Sequence, residues 1–285
     1  MAAMSYSPTE SPRQLIDQVR AAASARRSLR IIGGDTKAFY GQPVAGEPVS
    51  TSGWAGIVSH EPTELVVTVR AGTPLIELEA ALAEQGQCLP FEPPRFGPAS
   101  TIGGAVAAGL AGPARASAGG VRDYVLGVQF IDGHGEWLTF GGQVMKNVAG
   151  YDVSRVLAGS MGTLGILTDI SLKVLPVAPA EATLVFSLGQ HDALEQLHRW
   201  GGQPLPLNAS CWVKDQTQPD APELLFLRLR GAVAAVEAAC ERLSREAGGT
   251  RMDNAETGPD WAACRDQTLP FFNAPAPDLC LWRLS

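Results

Sequence analysis

Residues 31–41 read IIGGDTKAFYG, a short apolar segment that runs directly into a pair of glycines. The apolar residues before the glycines predict a strand from 29 to 32. Glycine has no β-carbon, so the main chain there can adopt positive φ and approach a ligand closely. A strand that ends in such a turn can bring its backbone N–H groups close to an anion.

Two further glycine-rich segments follow. Residues 98–109 read PASTIGGAVAAG and precede VRDYVLG at 121–127, and residues 145–152 read MKNVAGYD and precede GSMGTLGI at 159–166. Their serine and threonine hydroxyls add neutral donors for phosphate or carbonyl oxygens. One such segment alone indicates only a turn, whereas three together favour a nucleotide site.

Two common nucleotide motifs are absent from the sequence. Gly159, Gly162 and Gly165 do not have the spacing of the G-x-G-x-x-G fingerprint, and a predicted strand rather than a helix follows them. The phosphate-binding motif G-x-x-x-x-G-K-[ST] does not occur either. The sequence therefore requires a different dinucleotide-binding scaffold.

Composition excludes several classes of protein. The formal charge is −7, and no run of lysine or arginine could follow a nucleic-acid backbone. The most apolar stretch, 102–111, is far shorter than the roughly 20 residues of a membrane-spanning helix, and the N-terminus lacks the apolar core of a signal peptide. We expect a soluble, cytoplasmic protein that can still dock peripherally at the inner membrane through partner subunits.

The cysteines are odd in number and scattered. The sequence has five, without a C-x-x-C pair: Cys88, Cys211, Cys240, Cys264 and Cys280. This pattern fits reduced thiols and argues against an iron–sulfur or zinc site, whose ligands cluster at short spacings. We therefore expect no metal here, and any electrons that the chain accepts must leave through another molecule.

The hydrophobic pattern changes after the prolines of residues 176–179, which predicts a domain boundary. We expect one domain at 1–178, with subdomains at about 1–57 and 58–178, and a second at 179–285. The second shows the β-α-β-β-α-β order of a ferredoxin-like fold. A last strand at 279–284 finds no partner in the sequence, so we expect the natural chain to continue past Ser285 or to pair there with a neighbour.

Taken together, the glycine-rich segments resemble the vanillyl-alcohol oxidase family, which has a PCMH-type FAD-binding domain. The resemblance covers about residues 10–178, with the motifs in the family's order. Three strings, KAFYG at 37–41, EPP at 92–94 and MKNVAGYD at 145–152, are similar more narrowly to the E subunits of bacterial glycolate oxidases.

The resemblance implies an α+β chain, in which a two-subdomain PCMH-type FAD-binding domain precedes a ferredoxin-like cap. It also implies an FAD-binding subunit of a complex that oxidises glycolate to glyoxylate. Electrons would pass to a second flavin subunit and an iron–sulfur subunit of that complex. Two alternatives stay open: a self-sufficient FAD-dependent 2-hydroxy-acid dehydrogenase, and a non-catalytic assembly subunit that keeps the flavin fold.

The cofactor residues that the resemblance implies lie on the glycine-rich loops. They are Gly33, Gly34, Asp35, Thr36, Lys37, Pro98, Ser100, Thr101, Gly103, Gly104, Arg122, Asp123, Gly162, Thr163, Gly165 and Ile166. Asp35 departs from many relatives, which have a third glycine there; its carboxylate would repel a pyrophosphate unless it turns away to cap a local N–H. Many relatives attach FAD through a histidine of the first loop, which has none here, so we expect noncovalent FAD.

Catalytic residues are less evident. Oxidation of a 2-hydroxy acid needs a base near the hydroxyl and usually an arginine for the carboxylate, but the four histidines lie outside the motifs. The best polar candidates are Arg95, Lys146 and Tyr151. Each has a simpler interpretation, namely an exposed charge, favoured for Arg95, or a packed ring for Tyr151. Four tryptophans are expected to build the cap core or a subunit interface: Trp200, Trp212, Trp261 and Trp282.

Overall fold

The computed structural model describes residues 12–142, 151–214, 220–272 and 281. The chain divides into two compact units, and the first consists of Met1–Ala111 with Gly119–Val177. The second consists of Gly112–Ala118 with Ala178–Ser285, so a short segment of the second unit interrupts the first in sequence. No helix of the described residues is long and apolar enough to cross a lipid bilayer.

Helices and strands alternate irregularly along the first unit. In chain order they are α1 (Arg13–Ser24), β1 (Leu29–Ile32), β2 (Glu47–Ser50), β3 (Ile57–Glu61), β4 (Val66–Arg70), α2 (Leu75–Glu84), β5 (Gln87–Cys88), α3 (Ile102–Ala108), then α4 (Arg115–Ala118) of the second unit, β6 (Val125–Ile131), β7 (Trp137–Gly141), α5 (Val153–Val156), β8 (Ile166–Lys173) and β9 (Leu175–Pro176). The predicted strand before the first glycine pair is confirmed as β1, and β6 and β7 pair as an antiparallel hairpin.

The N-terminal part of the first unit is a small α/β layer. Strands β1 and β2 pair in parallel, and α1 buries Leu15, Val19 and Ala22 because these residues recur on one face of the helix. Leu15 and Val19 join Val49 of β2 in a common apolar cluster. The layer therefore holds the end of β1, and with it the first glycine pair, in a fixed position.

The larger part of the first unit is an antiparallel sheet with the strand order β3-β4-β8-β6-β7. Its core face carries alternate residues such as Val67, Val69 and Ile170, which pack with α2 and α3. The second face is polar: Thr68 Oγ1 and Ser171 Oγ are 2.8 Å apart across neighbouring strands. One apolar face explains why both helices pack on the same side of the sheet.

Helix α3 was not among the predicted elements, because its sequence, IGGAVAA, reads as a glycine-rich loop. The small residues let the helix approach β4 closely. A β-carbon added to Gly103 would lie 2.7 Å from the carbonyl oxygen of Ala71. Close packing against the sheet therefore offsets the low helix propensity of glycine.

The second unit has the predicted β-α-β-β-α-β order and an added helix. Its further elements are β10 (Ala180–Ser187), α6 (Gln190–Gly201), β11 (Leu207–Lys214), β12 (Glu223–Gly231), α7 (Val233–Ala247), β13 (Thr250–Met252) and α8 (Asn254–Asp266). The antiparallel sheet order β11-β12-β10-β13 confirms the ferredoxin-like arrangement.

Two of the tryptophans expected in the cap core are buried. Trp200 packs against Phe186 with ring centroids 5.1 Å apart, and Trp261 is 6% exposed. Trp212 is half-buried and donates its indole N–H to the carbonyl oxygen of Leu188 at 3.0 Å. Trp282 and most of the predicted last strand lie outside the described residues.

Candidate functional site

The first loop, residues 33–37, is in contact with the second loop, residues 98–104. A β-carbon added to Gly34 would lie 1.6 Å from the carbonyl oxygen of Ala99, and one on Gly33 would lie 2.5 Å from Thr101 Oγ1. Both positions therefore require glycine, because any side chain would force the two loops apart. Two segments more than sixty residues apart in sequence thus form one surface.

Lys37 joins the same two loops from the other end. Its ammonium group donates to Ser100 Oγ at 2.6 Å and lies 3.5 Å from the carbonyl oxygen of Arg95. It also lies 5.7 Å from the ring centroid of Phe96, a cation–π distance. A positive charge is therefore held beside the first loop.

The backbone N–H groups of the first loop point to an anion site. Those of Gly33, Gly34, Asp35 and Thr36 form no hydrogen bond with an acceptor among the described residues. Successive N–H groups without protein partners form a concavity suited to phosphate oxygens. The residues present thus fit the diphosphate of a dinucleotide.

Asp35 follows the glycine pair with φ +53°, in the left-handed region where many relatives of the resembled family have glycine. Aspartate tolerates this region better than most residues. No described N–H donates to the Asp35 carboxylate, so the described part of the chain shows no capping by this side chain. The carboxylate pairs instead with Arg30 of β1 at 3.6 Å, which partly neutralises it near the first loop.

The second loop serves mainly to hold the first loop and α3. Thr101 caps α3 by accepting a hydrogen bond from the N–H of Gly104 at 3.2 Å. The N–H groups of Ile102 and Gly103 donate to the carbonyl oxygens of Thr73 and Ala71. Ser100 and Thr101 are buried, whereas Pro98 is exposed. The N–H groups of Ile102, Gly103 and Gly104 therefore already have acceptors inside the protein.

The third loop, residues 159–166, lies against α3 and β1. The N–H groups of Gly159 and Met161 donate to the last carbonyls of α3, Val106 at 3.0 Å and Ala107 at 2.9 Å. Gly162 has φ +76°, and an added β-carbon there would be 3.1 Å from Ile31 Cδ1. Through α3 and β1, the three loops form one continuous region.

The other predicted residues of the third loop are held locally. Thr163 Oγ1 donates to the carbonyl oxygen of Ser160 at 2.6 Å. An added β-carbon on Gly165 would lie 2.3 Å from the carbonyl oxygen of Ile131, so this glycine allows β6 and the start of β8 at Ile166 to approach.

Exposed apolar side chains lie on the first and third loops and the segments next to them. They are Phe39, Tyr151, Met161 and Leu164. Met161 Cε would lie 3.3 Å from a β-carbon on Gly41, which places the two segments side by side. Tyr151 is 94% exposed, so the interpretation of this residue as a packed core tyrosine is wrong. Exposed apolar side chains on adjoining segments, as at Met161 beside Gly41, are typical of a ligand groove or an interface.

Arg122 and Asp123 are exposed in the short turn before β6. The carboxylate of Asp123 accepts a hydrogen bond from the N–H of Gly120 at 2.8 Å. This contact orders the turn itself and does not join it to the three loops, so the predicted contact of Arg122 and Asp123 with a cofactor stays a prediction.

The catalytic candidates do not form an acid–base group in the described part of the chain. Arg95 is half-buried and paired with Glu79 of α2, so its interpretation as an exposed charge is wrong. His60 Nε2 lies 2.8 Å from Gln87 Oε1, which gives it a structural partner. The other histidines, His134, His191 and His198, are exposed, and Lys146 lies outside the described residues. Within those residues, no three His, Cys, Asp or Glu side chains group together as a metal site.

The contacts of Arg30 and Asp169 were not predicted from the sequence. Arg30 occupies an ordinary strand position, and only the turn of the backbone at Asp35 makes it a partner. Asp169 is 4% exposed on β8, and its Oδ1 accepts from Trp54 Nε1 at 3.2 Å. Burial raises the pKa of Asp169, opposed by the Trp54 hydrogen bond and the charge of Arg70.

Comparison with known proteins gives consistent results. Residues 8–141 match the family described as FAD binding domain. The chain is 45% identical to the glycolate oxidase subunit GlcE of Escherichia coli over 95% of its length and 72% of that relative. It is also 33% identical to the glycolate oxidase subunit GlcD of Bacillus subtilis, over 49% of the chain and 30% of that relative.

More distant similarities point to the same fold. The chain is 34% identical to D-2-hydroxyglutarate dehydrogenase of Xanthomonas citri over 46% of its length, and spans 28% of that relative. A solved structure of alkyldihydroxyacetonephosphate synthase superposes with a TM-score of 0.69 at 20% sequence identity. That match covers 90% of the chain and 57% of the synthase.

Proposed function

The chain belongs to the FAD binding domain family that includes the glycolate oxidase subunit GlcE, and from this we propose that it is an FAD-binding subunit of a glycolate-oxidising complex. In that complex glycolate is converted to glyoxylate. The observation that supports the proposal is the contact between the first and second loops, beside backbone N–H groups of residues 33–36 that have no acceptor among the described residues.

Each loop would have a separate task in holding FAD. The N–H groups of residues 33–36 would bind the diphosphate, with the ammonium group of Lys37 adding a positive charge nearby. The second loop would keep the first in position through Thr101 and Ser100. Gly162 and the exposed apolar side chains beside it would contact the flat rings. The chain offers no histidine in the first loop, so the proposed binding is noncovalent.

Bound FAD would supply the acceptor for the hydride of the hydroxy acid. The described residues add binding groups to this chemistry but no paired base and arginine. We therefore propose that partner subunits contribute to the reaction: a second flavin subunit, and an iron–sulfur subunit that carries the electrons away. We also propose that the complex is cytoplasmic, as the scattered cysteines of the sequence favour, and attached peripherally to the inner membrane through those partners.

FAD reconstitution tests the proposal. The purified full chain is incubated with FAD, desalted and measured for flavin absorbance and flavin-to-protein ratio, and we expect one flavin per chain that is released on denaturation. Binding also stabilises the fold: FAD at about 100 times its dissociation constant adds about 2.7 kcal/mol to the free energy of unfolding. We therefore expect a melting temperature several degrees higher with FAD.

The outcomes separate the alternatives. Absence of both flavin absorbance and a melting shift would refute flavin binding and favour the assembly-subunit hypothesis. Turnover of glycolate with an artificial acceptor by the flavin-loaded chain alone would favour a self-sufficient dehydrogenase. Under the proposal, turnover requires coexpression with the partner subunits.

A further inference from the structure

Helix α8 covers one face of the sheet in the second unit. Trp261 of α8 donates its indole N–H to Thr183 Oγ1 at 3.0 Å. The guanidinium of Arg228 lies 4.8 Å from the centroid of the Trp261 ring. Thr183 and Arg228 are cross-strand partners on β10 and β12, so these contacts fix where the helix lies along the sheet.

Two residues further along these strands, the side chains on the same face of the sheet include a cysteine. Val185 pairs with Phe226, and Phe226 pairs with Cys211 of β11. On α8, Cys264 follows Trp261 by three residues and therefore lies on the same side of the helix. Sheet register and helical periodicity thus bring the Cys264 thiol next to the Cys211 thiol, close enough for the two side chains to interact.

The chemical environment of Cys211 favours reaction. The hydrogen bond with Cys264 lowers the pKa of Cys211, which burial opposes. Cys240, by contrast, is buried, and burial raises its pKa. The thiolate is the reactive form of cysteine. Cys211 and Cys264 are only half-buried, so a small oxidant can reach them.

We propose that Cys211 and Cys264 form a dithiol pair that a hydroperoxide oxidises to a disulfide between β11 and α8. The Cys211 thiolate attacks one peroxide oxygen, the O–O bond breaks, and hydroxide leaves, which gives a sulfenic acid. The Cys264 thiol then attacks that sulfur, the S–S bond forms, and water leaves. In total two thiols and one hydrogen peroxide give one disulfide and two waters.

The disulfide would link α8 covalently to the sheet that the helix covers. Closing a long loop in this way restricts the unfolded chain and stabilises the folded unit. The oxidised protein should therefore melt at a higher temperature than the reduced protein, and a dithiol reductant should reverse the shift.

Limited oxidation of the purified full chain with hydrogen peroxide tests this. We expect denatured-state thiol titration to fall from five thiols to three, and non-reducing peptide mapping to show a Cys211–Cys264 link. Cys211→Ser and Cys264→Ser should both lose that link and the reversible melting shift. Cys240→Ser is the matched control and should keep both.

Two results would overturn the proposal. One is a wild-type chain, folded by circular dichroism, that is oxidised at sulfur without any Cys211–Cys264 peptide. The other is a dominant link to a different cysteine, Cys280 or Cys88. The readout needs neither flavin nor substrate, so it stands apart from the test of the proposed function.

Discussion

Gly34 determines how closely the first and second loops approach. Gly34→Ala would place a methyl group 1.6 Å from the carbonyl oxygen of Ala99, so the loops must separate. Overpacking of this kind costs about 1–3 kcal/mol. We expect FAD affinity to fall at least about tenfold, which corresponds to about 1.4 kcal/mol, as measured by fluorescence titration with FAD.

Gly53→Ala is the matched control for this change. A β-carbon on Gly53 meets no atom within 4 Å, so the same chemical substitution should leave FAD affinity unchanged. Equal affinity of Gly34→Ala and wild type would show that the contact between the loops does not support the cofactor.

Asp169 makes stability depend on pH. Because burial raises its folded pKa above the unfolded value, the folded chain holds a proton that the unfolded chain releases. The contribution of this proton to the free energy of unfolding is fully present below the pKa of Asp169 in the unfolded chain, about 3.9. It is lost as the pH rises through the pKa of Asp169 in the folded chain. Each tenfold difference in proton affinity between the folded and unfolded chains corresponds to about 1.4 kcal/mol of that loss.

Asp169→Asn tests that pH dependence. The amide oxygen can still accept from Trp54 Nε1, but the variant does not titrate, so its free energy of unfolding should fall less than that of wild type above about pH 4. Urea unfolding at a series of pH values provides the measurement. Parallel curves for the two proteins would contradict a raised pKa.

Single residues differ in how much the sequence reveals about them. The need for glycine at 33 and 34 could be predicted, because a turn after a strand restricts which residues fit. The partners of Arg95, Asp35 and Cys211 could not, because Glu79, Arg30 and Cys264 are set by tertiary packing. Local patterns indicate a backbone shape, and they do not indicate which side chain lies across from another.

At the scale of elements, α3 connects the three loops. Thr101 precedes its first residue and caps it, the second loop leads into it, and the third loop bonds to its last carbonyls. Its seven residues, IGGAVAA, are all small or β-branched, and two of them are glycine. They show no helical spacing of large apolar residues, so the sequence resembles a loop. Helices α1 and α7, by contrast, were predictable because their buried residues recur at helical spacing.

Thr101→Ala should destabilise α3. It removes the acceptor for the N–H of Gly104, and loss of a threonine N-cap costs about 1 kcal/mol, with a range of about 0.5–2. We expect that decrease in the free energy of unfolding and weaker FAD binding. Thr101→Ser keeps the hydroxyl and should retain most of both, so equal losses in the two variants would point to the methyl group instead of the cap.

At the scale of the whole molecule, all three loops belong to the first unit. A ligand that binds only there stabilises that unit directly. Hydrogen exchange with mass spectrometry should therefore show slower exchange with FAD first in the loops, at residues 31–37 and 159–166. FAD at about 100 times its dissociation constant should slow amides that exchange by unfolding of the unit about 100-fold.

The second unit provides the internal comparison in the same experiment. Its strands β10 to β13 have their own apolar core, so their exchange should change much less than that of β4, β6 and β8. Gly34→Ala, measured at the same FAD concentration, should show reduced protection of the loops. Protection confined to β10–β13 would place the cofactor on the second unit, because only residues that bind it, or unfold together with those that do, gain protection.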